Sequence, residues 1–282
     1  MKGVSVINQF ESTPTLTADT SWSSPSKNLI LGDDEVHVWR AALNIKESRV
    51  QSLRRTLTAD DRARAERFHF QKDREHFIVA RGLLRAILGR YLDVEPSQLR
   101  FSYSPYGKPS LAGEFNADAL CFNLSHADGL ALYAVTRGRQ LGIDIERVRA
   151  ELADEQVAER FFSPREVAGL RALPENMQPQ AFFNCWTRKE AYIKARGEGL
   201  SLPLDQFDVS LAPGETAALL STNGDPQEAS RWSLRELAPG SSYVAALAVK
   251  GHGWRLKCWH WPKESHEDDD VETTSDVSSL LL

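Results

Sequence analysis

The chain has 282 residues, 41% of them hydrophobic and 26% charged, and a net charge of −5, a balance ordinary for a folded protein of one large or two small domains. No apolar run reaches the roughly 18 residues needed to span a membrane, and the opening MKGVSVINQFESTPTLTADTSWSSPSKN lacks the apolar core of a secretory signal, so a cytoplasmic protein is expected. Residues 261–282 hold seven acids and one lysine, leaving a net +1 for everything before them; the acidity belongs to the tail, and no dense basic run of the kind that binds nucleic acid is present.

The three cysteines, Cys121, Cys185 and Cys258, are widely spaced and odd in number, which argues for packed, reduced thiols rather than a disulfide framework or a CxxC zinc site. Along the chain, EVHVWRAAL at 35–43 has the residues of a strand. Two short helical stretches follow, the second starting near Thr58 with acids in its first turn. A long helix is predicted over 73–92, with Phe77, Ala80, Leu84, Ile87, Leu88 and Tyr91 on one face and Arg74, Arg81 and Arg85 in a stripe beside it. That stripe reads either as a solvated flank or as an anion-binding wall. FSYSPYGKPSL is turn-rich, and CFNLSH and GLALYAVT read as two strands joined by a short loop.

A turn at RGRQ, 137–140, precedes GIDIER at 142–147 and marks a subdomain boundary. Side chains at i and i+2 leave a strand on one face, so Asp144 and Glu146 point the same way. Such a pair is either the solvated face of an edge strand or an oxygen site for Mg²⁺, which often bridges carboxylates to substrate phosphates. SPREVAGL carries a helix start, with Ser163 as cap, Pro164 in the first turn and Glu166 completing the capping box. A longer helix over 180–196 ends at Gly197 and Gly199. On it, Glu190 and Lys194 stand one turn apart, an arrangement equally typical of a surface ion pair. Lys189 falls on the apolar face and needs a partner or a route to water. FDVSL, RWSLREL, YVAALAV and WRLKCWHW have strand periods, and no internal repeat is evident.

The expected organisation is a leader at 1–31, subdomains at 32–140 and 141–261, and an acidic tail at 262–282. Neither a GxxxxGK[ST] loop nor a GxGxxG fingerprint occurs. The strand end at Ser125 and His126 and the turn at Gly107 and Lys108 could still serve phosphates. A satisfied structural histidine and a solvated turn lysine explain these two equally well.

Taken in order, FxFxKD, YGKP, FNLSH, GIDIE, FFSPRE, WTRKEAYIKARGEGL and LPLDQFDV resemble the 4′-phosphopantetheinyl transferases of the Sfp type, from about Leu57 to Asp208. The resemblance implies an α/β (α+β) fold of two similar subdomains related by a pseudo-twofold, each a small sheet packed with helices, with coenzyme A in the cleft between them. It implies a monomer that transfers 4′-phosphopantetheine from coenzyme A to a serine of an apo acyl or peptidyl carrier protein and releases adenosine 3′,5′-bisphosphate. By motif, Asp144, Glu146 and Glu190 take the place of Mg²⁺ ligands, with Glu190, Asp144 and Lys194 as the catalytic group. Gly107, Lys108, Asn123, Ser125 and His126 lie in the motifs that hold the coenzyme, as do Arg64, toward the 3′-phosphate, and Arg81 in ARGLLR. The chain departs from the family in carrying Asp61 where some members have a lysine. Another Mg²⁺-dependent phosphate enzyme, or a non-catalytic module binding carrier proteins or coenzyme A, is the alternative.

Overall fold

The computed structural model describes residues 21–26, 29–115 and 119–262. Nearly all of the expected acidic tail, and most of the expected leader, lie outside the described residues.

The first half opens with a two-residue strand β1 (Trp22–Ser23), followed by β2 (Glu35–Ala42) and three helices, α1 (Glu47–Thr56), α2 (Ala59–Ala65) and α3 (Gln71–Leu92). A small hairpin, β3 (Phe101–Tyr103) and β4 (Pro109–Leu111), leads to β5 (Leu120–Ala127) and β6 (Leu130–Arg137). The second half comprises β7 (Leu141–Arg147), α4 (Glu155–Phe161), α5 (Pro164–Arg171), α6 (Gln178–Arg196), β8 (Phe207–Val209), β9 (Leu219–Thr222), β10 (Trp232–Leu237), β11 (Tyr243–Lys250) and β12 (Arg255–His260).

Two sheets carry the architecture. One runs in the order β1-β12-β2-β6-β5, the other β10-β11-β7, and each half lays its long helix on a sheet. Period-two alternation sorts β2 and β6 to two cores at once. Trp39, Ala41, Tyr133 and Val135 face α1 and α3, while Val36, Val38, Leu132 and Ala134 face Ile143, Ile145 and Leu247 of the second sheet. The other side of that second sheet, Val244, Ala246 and Ala248, lies under α6. Strands buried on both faces read as nearly continuous apolar runs, which is how YVAALAV and GLALYAVT look in sequence.

Two placements differ from the expected organisation. β12, which follows the whole second half in sequence, pairs in parallel with β2 of the first sheet, with Cys258 opposite Val38. β1, within the expected leader, in turn pairs in parallel with β12. A buried network fixes this return: His37 is bonded to Tyr91 Oη at 2.8 Å and to Glu35 at 3.0 Å, and Lys257 of β12 reaches Glu35 at 2.7 Å. Among the described residues, no helix is long and apolar enough to cross a membrane.

Candidate active site

The site begins with a close approach. In β7, Leu141, Ile143 and Ile145 turn into the core between the sheets, so Gly142, Asp144 and Glu146 face α6. A Cβ on Gly142 would stand 2.2 Å from the Ala191 carbonyl oxygen and 2.3 Å from the Ala195 nitrogen. Only glycine lets the helix backbone descend this far. Ala246, opposite Asp144 in the β7–β11 ladder, is a small residue on the same floor. The descent brings the third and fourth functional side chains, Glu190 and Lys194, onto the two strand carboxylates.

Asp144 is 3% exposed. Its Oδ1 accepts from Lys194 Nζ at 2.6 Å and from Ser125 Oγ at 2.9 Å, while its Oδ2 is buried without a partner. Lys194 also donates to Ser125 at 3.0 Å. Strand end, strand and helix thus meet at one carboxylate. Burial raises the Glu146 carboxyl to about 7, helped by the negative charges of Asp144 and Glu190 and opposed by Lys194. Burial and the Asp144 charge likewise push Glu190 upward. One ammonium does not neutralise three carboxylates.

Among the described residues, no three Asp, Glu, His or Cys side chains are gathered into a ready metal shell; Lys194 stands where a cation would meet Asp144 Oδ1. The donor chemistry nevertheless fits a hard divalent ion. The groups are all oxygens, their charge is under-compensated, and Asp144 Oδ2 is a buried acceptor with nothing to accept from.

His126 ends β5 beside these groups. Desolvation, with the nearby His76 and Lys194, lowers its pKa below the ordinary imidazole value. Its side chain is exposed, and its ring N–H can donate to a phosphate. His76 is itself bonded to Asn44 at 2.7 Å.

Other residues singled out in the sequence have different partners. Asn123 accepts from the Ile143 amide at 2.9 Å, tying β5 to β7 where no ladder bond joins them. Gly107 takes φ 82° in the hairpin turn, a left-handed conformation suited to glycine. Lys108 is folded inward: its Nζ donates to the Ala195 carbonyl at 2.9 Å and to that of Leu141 at 3.1 Å, and burial lowers its pKa to about 8. It caps the carbonyl end of α6, where a cation is favoured.

The arginine stripe of α3 divides: Arg74 lies half-buried, 3.6 Å from Glu66. Arg81 and Arg85 are buried and share the carboxylate of Asp61, while Arg64 stays exposed on α2 above the Tyr103 ring. Lys189 found its partner: it is fully buried, 2.7 Å from Glu166, and donates to the Leu204 and Phe207 carbonyls. Glu166 also closes the Ser163 capping box and accepts from the Val209 amide at 2.7 Å. The FFSPRE and KEA motifs therefore meet as one structural clamp behind α6. Gly142 was the residue that sequence reasoning missed. A glycine inside an otherwise apolar strand was the available signal.

Both halves of the chain match known proteins. A family model of the 4′-phosphopantetheinyl transferase superfamily matches residues 140–248, and one for the 4′-phosphopantetheinyl transferase N-terminal region matches residues 43–137. The 4′-phosphopantetheinyl transferase HetI of Nostoc sp. is 47% identical over 241 residues, covering 86% of this chain and 98% of that protein. The 4′-phosphopantetheinyl transferase Sfp of Bacillus subtilis is 34% identical over 155 residues, covering 55% of this chain and 66% of that one. The chain belongs to the 4′-phosphopantetheinyl transferase family, enzymes that transfer phosphopantetheine to carrier proteins.

Proposed function

We propose that the β7–α6 junction carries out this transfer from coenzyme A to a serine of an acyl or peptidyl carrier protein. The observation that carries the reading is the buried, unpartnered Asp144 Oδ2, set among three under-compensated carboxylates and one lysine. Asp144, Glu146 and Glu190 would hold Mg²⁺, which, when bound, neutralises charge on the pyrophosphate of coenzyme A.

The chain's own residues supply the rest. The serine hydroxyl attacks the β-phosphorus, a P–O bond forms to the carrier, and the bond to the departing adenosine 3′,5′-bisphosphate breaks. Such transfers depend on positioning and on cations near the moving oxygens more than on covalent help. Lys194, whose side chain is 29% exposed beside Asp144, and the His126 N–H are the donors at hand. The serine proton needs an acceptor. Glu190 is placed for that task, directly or through a water, and Glu146 is its competitor for it.

The test is a mass measurement on a panel of apo carrier proteins, incubated with coenzyme A and Mg²⁺. A gain of one phosphopantetheine on the acceptor serine is the expected result. Hydrolysis of coenzyme A without any modified carrier would overturn the reading in favour of a phosphate hydrolase.

A further inference from the structure

His76 is a buried imidazole that the transfer chemistry does not use. It stands on α3 at 9% exposure, and its Nε2 is bonded at 2.7 Å to Oδ1 of Asn44, in the loop after β2. An amide oxygen can only accept, so the ring N–H donates, and the bond is the same whether the ring is neutral or charged. It turns the other end of the carboxamide, Nδ2, onto the turn between β5 and β6.

That turn has φ 44° at Asp128 and 86° at Gly129, the pair of left-handed residues that a two-residue hairpin loop needs and that Asp-Gly supplies. A Cβ on Gly129 would stand 2.5 Å from Asn44 Nδ2, so the amide rests directly on the glycine. Beside it, the Leu43 amide donates to the Gly129 carbonyl at 2.8 Å. The second half of the chain grips the same turn from elsewhere. Arg149 donates to Asp128 Oδ2, Arg147 stands 3.6 Å from that oxygen, and the Tyr243 hydroxyl donates to the Asp128 carbonyl at 3.1 Å. These ion pairs are partly exposed and individually weak. The buried His76 bond is shielded from water and is the firmer support.

What the turn holds in place is the end of β5. His126 comes two residues before Asp128 and pairs with Ala131 across the hairpin, directly after the Ser125 that reaches Asp144. His126 is exposed, so its place is set by the backbone it stands on rather than by packing around its ring. We propose that His76 is a positioning residue of the transfer site: through Asn44 it holds the Asp128–Gly129 turn, and so sets His126 against Asp144 and Lys194. The inference rests on the transferase reading above, with His126 as one of its donors. An imidazole that served only the fold would act on every part of the site alike; a positioning one acts through His126.

A double-mutant cycle in steady-state kinetics, at saturating carrier protein and Mg²⁺, separates the two. His76→Ala should lower kcat/KM for coenzyme A about fivefold, whereas His76→Gln, whose amide can still donate to Asn44, should stay within about twofold of wild type. In a His126→Ala background, His76→Ala should cost less than about twofold, because the group it positions is gone. Asn44→Ala, a change at an exposed residue, should reproduce the cycle and decides the matter if His76→Ala does not fold. An equal loss in both backgrounds, a glutamine variant as slow as the alanine one, or an unchanged kcat/KM in the variant that folds would overturn the positioning role. A wild type that modifies no carrier would instead sink the transferase reading beneath it.

Discussion

Lys194 Nζ stands 2.6 Å from Asp144 Oδ1, joining residues 50 apart in the chain across the α6–β7 junction. The ion pair uses one carboxylate oxygen and leaves the other buried and bare. Removing the carboxylate should therefore cost function far more than fold. Asp144→Ala and Glu190→Gln are each expected to lower transfer by at least about a thousandfold, the scale of losing charge stabilisation in a phosphate-transfer site. Their circular dichroism should match wild type. Full activity in either variant, read from the mass of the carrier, would remove that residue from the site.

Gly142 makes the junction possible, and its replacement tests the geometry by sterics alone. The added methyl of Gly142→Ala would meet helix backbone at 2.2 Å, which cannot rotate away as a side chain can. Overpacking of this kind costs about 1–3 kcal/mol or more. The variant should lose that much in chemical denaturation. Its surviving folded fraction should also transfer at least about tenfold more slowly, because α6 carries Glu190 and Lys194 away from Asp144. Wild-type activity in the folded variant would show that the close approach does not position the site.

Local periodicity made half of this site readable. Asp144 and Glu146 share a face because the strand repeat is two, and Glu190 and Lys194 share a face because the helix turn is nearly four; neither statement needs a tertiary contact. Lys189 on an apolar face announced a partner, and Glu166 supplied it. What stayed hidden were pairings between elements. Nothing in the α3 pattern shows that Arg81 and Arg85 turn to Asp61 on α2, or that Lys108 folds onto the end of α6. The return of β12 to β2 was unreadable for the same reason, since strand partners are chosen by the whole fold and not by the strand.

The Lys189–Glu166 clamp should behave as structure and not as catalysis. Both side chains are buried, at 0% and 2% exposure, so removing one leaves the other as an isolated charge. Lys189→Ala is expected to cost about 3–5 kcal/mol. The double variant Lys189→Met with Glu166→Gln should recover part of that loss and retain transfer. A well-folded Lys189→Ala protein without activity would instead place Lys189 in the chemistry.

Lys108 offers a separate test of what the turn contributes. Its ammonium now satisfies two backbone carbonyls at the end of α6 and beside the start of β7. Lys108→Met keeps most of the stem and removes those bonds, so about 1–3 kcal/mol of stability should be lost for the buried acceptors left behind. If the lysine also reaches coenzyme A, KM for coenzyme A rises while kcat holds. A stability loss with KM unchanged would confine Lys108 to capping the helix.

The pH dependence follows from the crowded carboxylates. Glu146 has its pKa at about 7 in the folded protein, against an ordinary 4.5. Between those values the folded state holds a proton that the unfolded chain has released. Stability of the metal-free protein therefore falls as pH rises through this window, and above about 7 the full penalty is present. Glu190, shifted in the same direction, adds to the slope. Glu146→Gln removes its share, so melting temperature without metal should decline less steeply from pH 5 to pH 7.5 in the variant than in wild type. Mg²⁺ binds the ionised form, so it should raise the wild-type melting temperature more at pH 8 than at pH 6. Parallel melting curves for variant and wild type across that range would show that Glu146 is not held protonated by Asp144 and Glu190.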